Sequence, residues 1–246
     1  MSEYFSWTRA LRAFPKVLDG LGVTFVIVIL ALALAVALGM ALALVRVHRV
    51  PVLNQIAIVL ISFIRGTPEI IMLFIVYYGV PLAAANLFGL DLSSADALYL
   101  GIIAFGINYS GFMAELFRGG LEAVPRGQVE AAASINLTGW QTFRRVVLPQ
   151  AVRLIIPGFG VMAVSMFQNT ALIAALGVLD VMGRAAAMGV ATNHYLEPYL
   201  DAAVIFAVLG VALDYGFKAL GARASRGMGG VAIGAGPRAG SKAVVA

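Results

Sequence analysis

Side chains able to do chemistry are few in this sequence, and most of them interrupt apolar runs. Glu69 follows Pro68, Glu115 precedes Arg118 by three residues, and Asp214 precedes Lys218 by four. Gln168-Asn169-Thr170 is a run of amides and a hydroxyl, and Asn108-Tyr109-Ser110 is a shorter one. Such groups are expensive to bury in an apolar medium and by default mark a functional path. Each also has a plainer reading. Glu115 pairs locally with Arg118, Asp214 reaches water or Lys218, and Glu69 complements the dipole at a helix start. The amides can equally bond between helices. Gln168, Asn169, Thr170 and Asn108 are therefore candidates for a solute path, with interhelical bonding as the alternative.

Other chemistry is excluded more firmly. There is no cysteine, so disulfides, thiol catalysis and cysteine-bound metal do not arise. Two histidines, His48 and His194, leave little for a metal cluster, and no metal site is expected. No nucleophile with an acid–base partner converges inside the apolar blocks, so a membrane-embedded enzyme is a poor fit. No G-x4-G-K-[ST] phosphate loop is present, so the chain is not expected to bind or hydrolyse ATP.

The elements that position these residues are long apolar blocks. Of the 246 residues, 61% are hydrophobic and 12% charged, against about 25% charged in a soluble domain. The blocks exceed about 18 residues, are rich in Ala, Leu and Met, and lack dyad alternation, which predicts membrane-spanning helices rather than a barrel. Five are expected: Gly20–Val45, a piece of Val52–Val80, Asp96–Phe117, Leu154–Val178 and Tyr199–Leu220. The second is too long for one crossing. Arg65-Gly66-Thr67-Pro68 breaks it, with Thr67 as a cap and Pro68 at the first helical position, so a tilted or interfacial piece precedes a spanning one. Residues 1–19, with Trp7, Arg9, Arg12 and Lys16, suit an interfacial stretch, and the apolar run after them is too long for a signal peptide. The tail 221–246, rich in Gly, Ala and Arg, is expected to be disordered. Gly39, Gly106, Gly111 and Gly210 suggest close helix packing, and Met162 and Met166 are read as core or lipid-facing.

Five spans put the termini on opposite sides. With the C-terminus cytoplasmic, the inside holds Arg46, Arg49, Arg118, Arg126, Arg144, Arg145, Arg153, Lys218, Arg223, Arg226, Arg238 and Lys242, and the outside Arg9, Arg12, Lys16 and Arg184. The positive-inside bias favours this orientation, N-terminus outside.

Between the third and fourth spans lies a polar segment, about 118–153. Pro125 opens a helix carrying Glu130 and an alanine cluster, and Thr138-Gly-Trp-Gln141 matches a capping box that starts a second. The pair is either a solvated connection or a rigid knob for a groove in a soluble partner. A basic helix–turn–helix could also suggest DNA, but spans at both ends hold this one against the bilayer, so no nucleic acid is expected.

This segment resembles the E-A-A-x3-G-x9-I-x-L-P motif of ABC importer permeases. Glu130, Ala131, Ala132, Leu148 and Pro149 match, Val146 stands for Ile, and Asn136 replaces the glycine. Asn tolerates the left-handed conformation that such a turn needs. Arg65-Gly66-Thr67-Pro68 with Tyr77-Tyr78-Gly79-Val80-Pro81 resembles the second span of polar amino acid permeases, and Glu115-Leu-Phe-Arg118-Gly119-Gly120 with Pro125-Arg-Gly127-Gln128 resembles the exit of their third. The likeness covers about residues 15–220.

The resemblance implies an all-α five-span permease domain, 20–220, in the bacterial inner membrane, paired with an identical or homologous permease. An ATP-binding subunit dimer, carrying ATP and Mg2+, would dock on the inside, and an extracytoplasmic solute-binding protein would deliver from outside. Gly127, Glu130, Ala131, Ala132, Asn136, Leu148 and Pro149 would form the coupling loop, Gly127 permitting the turn before it. Related permeases usually read K-D-T-S-L where this chain has Gln168-Asn169-Thr170-Ala171-Leu172. Neutral amides there suit a compact zwitterion, such as a polar amino acid or an ectoine-like compatible solute. The rival reading is a stand-alone channel or secondary carrier, which would not need the loop.

Overall fold

The computed structural model describes residues 5–225, and among them every regular element is helical. Helix α1 (Trp7–Leu18) is short, and α2 (Leu21–Val47) is a proline-free run of Leu, Ala and Val. At its end Pro51, Val52 and Leu53 make a tight γ-turn, Leu53 N–H donating to Pro51 O at 2.7 Å with Val52 at φ 66°. A β-branched residue is strained there.

The divided second block forms α3 (Leu53–Gly66) and α4 (Glu69–Phe88). The break falls at Thr67-Pro68 as expected, but the capping does not. Pro68 is itself the N-cap, and the Thr67 hydroxyl turns back to donate to Phe63 O at 2.8 Å, closing α3 instead of opening α4. The residue before a proline is driven to extended backbone, so Thr67 (ψ 125°) terminates the first helix. Helix α4 also runs past Val80, through Pro81, until Gly89 in the left-handed region ends it.

Helix α5 (Ala97–Glu122) is the axis of the bundle, packed on α2, α3, α4 and α8 (Leu148–Asn169). Gly39 of α2 lies against Met113, Gly106 of α5 against Leu34, and Gly111 against Ile64, as close packing requires. Five stretches among the described residues are long and apolar enough to cross a membrane: α2, α4, α5, the continuous run Gly139–Leu176, and α10 (Leu196–Ser225). The last helix continues beyond the boundary expected at Gly221, where a Cβ would lie 3.8 Å from Ile156 and Pro157 of α8. The rest of the expected tail, 226–246, lies outside the described residues.

Beyond the expected spans the chain forms two further elements between α8 and α10. A 3-10 segment, Thr170–Leu176, follows α8, and a further helix, α9 (Val181–Thr192), precedes α10. Asp180 starts α9 by accepting from Gly183 N–H at 2.8 Å. Helices α1, α9 and α10 pack around Val17, Val181, Ala185, Ala202 and Ile205, a core separate from the main one around α5. Gly20 makes this possible: a Cβ there would stand 2.5 Å from the Asp180 carbonyl carbon and oxygen.

Candidate functional site

A cavity of about 480 Å³ opens where α3 breaks into α4, against the middle of α5 and the end of α8. The break supplies Arg65 through Glu69, α5 supplies Asn108, Tyr109 and Phe112, and α8 supplies Met162, Ser165 and Asn169. Asn169 Nδ2 donates to the Glu69 carboxylate and lies 3.2 Å from the Tyr109 hydroxyl, so three spans meet at one hydrogen-bonded cluster. Arg65 lies exposed over the Phe112 ring, 5.5 Å from its centre. Asn108 is 2% exposed, and neither polar atom of its amide has a hydrogen-bond partner among the described residues. The wall thus offers a carboxylate, a guanidinium, amides and hydroxyls, which is a set for holding a small polar molecule of mixed charge.

The expected solute-path residues divide. Asn108 and Asn169 line the cavity. Gln168 does not: it is exposed on the other side of α8, with its amide over Gly210 of α10. Thr170 is buried and donates to Phe167 O at 2.7 Å within its own chain turn. Successive helical residues are about 100° apart, so a three-residue run cannot point one way. Glu69 starts α4 as expected and also lines the cavity, and Met162, expected in the core or facing lipid, lines it too. The signal for Glu69 was the break itself, since an interrupted helix inside an apolar block exposes backbone that needs a cavity around it.

The connecting segment is the second candidate region. Helix α6 (Arg126–Ser134) follows Pro125 and α7 (Gly139–Thr142) follows Thr138, with both halves of the expected capping box formed. Asn136 stands at φ 56°, Leu137 N–H donates to Ala132 O and Asn136 N–H to Ala133 O, the pattern of a Schellman motif. Asn therefore serves where the motif has glycine. Gly127 makes no turn. It lies inside α6 with no unusual backbone, and the extended Pro125 (ψ 133°) redirects the chain instead. A π-helical stretch, Phe143–Val147, leads into α8, where Leu148 and Pro149 form the exposed first turn.

Glu130 and Ala131 are exposed and Ala132 is buried. Ile135 and Trp140 are 71% and 67% exposed, a pair of large apolar side chains that the motif did not flag. The neighbouring acids are tied up. Glu115 accepts from Arg46 as well as from Arg118 at 2.6 Å, and Arg118 also reaches Glu122 at 2.6 Å. Asp214 pairs with Lys218 at 2.6 Å. Among the described residues no group of three His, Asp or Glu side chains is placed to hold a metal ion.

A polytopic helical bundle with a polar cavity between broken and continuous spans, and with an apolar-tipped helical hairpin at one end, defines a membrane transport component. Residues 35–226 match the family of binding-protein-dependent transport system inner membrane components, and the chain belongs to that family. It is 39% identical over 173 residues to the L-cystine transport system permease protein TcyL of Bacillus subtilis (strain 168), covering 70% of this chain and 72% of that one. To the arginine transport system permease protein ArtQ of the same organism it is 32% identical over 206 residues, covering 84% and 91%. A chain from the crystal structure of an amino acid ABC transporter with histidines superposes with a TM-score of 0.78 at 29% identity, covering 89% of this chain and 99% of that one.

The protein is accordingly the multi-pass inner-membrane permease subunit of an ABC importer. It works in a complex with an ATPase, which binds the ATP, and with a binding protein. The stand-alone channel or carrier is set aside by this membership.

Proposed function

We propose that this subunit imports a polar amino acid or a compact zwitterion derived from one, and that the cavity beside Glu69 holds the solute in transit. The observation that carries the reading is the mixed charge of that cavity. Glu69 is positioned by Asn169 to receive an ammonium group, and Arg65 with the first turn of α4 can receive a carboxylate. The transported solutes named for TcyL and ArtQ are amino acids, which agrees with this pairing. Asn169, where related permeases usually carry Asp, leaves Glu69 as the acid of the cavity, which favours one cationic group in the solute over two.

The N-terminus lies outside and the C-terminus in the cytoplasm, on the bias of Arg and Lys toward the α6–α7 end. The domain spans 20–220, with residues 1–19 at the outer interface, and a second permease, identical or homologous, completes the pore. The coupling surface consists of Glu130 and Ala131 with Ile135 and Trp140, held by the Asn136 turn; Ala132 is buried beneath it, and Leu148 and Pro149 open α8 where the hairpin ends. Charged rim plus exposed aromatic is the composition of a docking knob.

Transport by the reconstituted complex tests this reading. Glu69→Gln is expected to reduce uptake of the amino-acid solute at least tenfold, while capture of the ATPase stays at the wild-type level. Unchanged uptake by the Glu69→Gln protein would remove the cavity from the solute's route.

A further inference from the structure

Helix α1 presents three separate faces. Ala10, Ala13 and Val17 are buried against α9 and α10. Trp7, Leu11 and Leu18 form an exposed apolar stripe, Trp7 and Leu11 being 75% and 73% exposed. Arg9, Arg12 and Lys16 form the third face, roughly 160° round the helix from the apolar stripe at 100° per residue. If the apolar stripe enters the outer leaflet, as an amphipathic interfacial helix does, the cations point away from the bilayer and into the aqueous space. They are therefore badly placed to bind lipid headgroups and well placed to meet a soluble partner.

These cations are also organised. Arg9 donates to Glu197 Oε1 of α10 at 2.7 Å, and the N–H of Ser6 donates to the same oxygen at 3.0 Å. Glu197 is 1% exposed, so this carboxylate fastens α1 to α10 and neutralises Arg9. Arg12 and Lys16 are exposed, and among the described residues no acid is within ion-pair distance of either. Together with His194 they border a recess of about 190 Å³ between α1, α9 and α10. The recess is cationic at its rim and fixed at its base to a spanning helix.

We propose that Arg12, Lys16 and this recess form a docking surface for an acidic patch on the extracytoplasmic binding protein, with the Arg9–Glu197 clasp passing its seating to α10. The proposal rests on the outward orientation of the N-terminus argued above. Exposed charges at a rim act chiefly on association, so the contact should be salt-sensitive.

The test uses the permease–ATPase complex in nanodiscs of phosphatidylethanolamine and phosphatidylglycerol, titrated with the solute-loaded binding protein of the same transport system while ATP hydrolysis is followed. Arg12→Glu/Lys16→Glu is expected to raise the half-stimulating concentration at least tenfold and to flatten its dependence on salt. Arg12→Gln/Lys16→Gln should show a smaller shift in the same direction. Retained assembly with the ATPase by size-exclusion serves as the folding check, and the milder pair replaces the reversal if that check fails. An unchanged half-stimulating concentration in the variant overturns the proposal. So does a lipid effect: if phosphatidylcholine in place of phosphatidylglycerol weakens the wild type and leaves the variant unmoved, the patch is a headgroup site. The orientation is read separately: a Lys16→Cys variant of this otherwise cysteine-free chain is expected to react with a membrane-impermeant maleimide on intact cells. Protection there would overturn the outward N-terminus and the docking surface with it, whereas labelling with an unchanged half-stimulating concentration overturns the docking surface alone.

Discussion

The two ends of the bundle handle charge in opposite ways. At the α6–α7 end the acids pair with neighbours in sequence. Glu115 and Glu122 take Arg118 at three and four residues' distance, Asp214 takes Lys218 at four, and among the described residues only Arg46 comes from another helix. At the α1–α9 end Glu197 meets Arg9 from 188 residues away, and Asp180 is fully buried. The first end is built by local rules and leaves its hairpin free to meet a partner. The second is assembled only when α1, α9 and α10 converge. Substitutions should therefore be tolerated at the first end and punished at the second.

The sharpest contrast is between two glycines. Gly20→Leu places a side chain on the backbone of Asp180, which cannot give way as a flexible side chain would. Overpacking typically costs about 1–3 kcal/mol, and a clash with fixed backbone belongs at the upper end of that range. Thermal unfolding in detergent should show a large loss of stability or of folded yield; a wild-type melting temperature would contradict the close approach.

Next in size is a pH effect confined to the α1–α9 end. Burial raises the Asp180 carboxyl from near 3.8 to about 6, partly offset by the N–H groups it caps. The folded protein then keeps a proton that the unfolded chain releases near pH 3.8. Stability from this group is complete below about pH 4 and is lost as pH rises through 6, by about 2 to 3 kcal/mol. Asp180→Asn keeps the capping oxygen and removes the titration, so its melting temperature at pH 7 should rise and its pH dependence between 4 and 7 should flatten. Parallel pH profiles for the two proteins would show that Asp180 ionises freely.

The smallest effects belong to the hairpin. A Cβ at Gly127 meets nothing within 4 Å, and the residue is helical. Gly127→Ala should stabilise by about 0.5 to 1 kcal/mol, the helix-propensity difference. That sign, opposite to the result at Gly20, is readable by the same unfolding measurement. A loss of stability at Gly127 would mean that the hairpin is not a locally determined element.

The legibility of the molecule follows the same division. The spans were readable because apolar length alone signals a crossing, and the hairpin because Pro125, Thr138, Gln141 and Asn136 act within a few residues of themselves. Helix α9 was missed since its twelve residues, Val181–Thr192, are too few to register as a span; Asp180 as a cap was the available cue. In the cavity, Asn108 and Asn169 were within reach as amides in apolar runs. For Glu69 the local sequence supports only a helix-start role, because nothing in it says that α8 brings Asn169 to the carboxylate from 100 residues away.

By itself, then, the sequence determined the helical class, the five crossings, the break at Thr67-Pro68 and the left-handed turn at Asn136. Each depends on hydrophobic length or on backbone preferences that act over one or two turns. Only the tertiary structure decided which face of α8 looks into the cavity, that Gly20 must be small, and that Arg9 belongs to Glu197. Those are contacts between segments far apart in the chain, and local chemistry carries no record of which distant surface a side chain will meet once the helices pack.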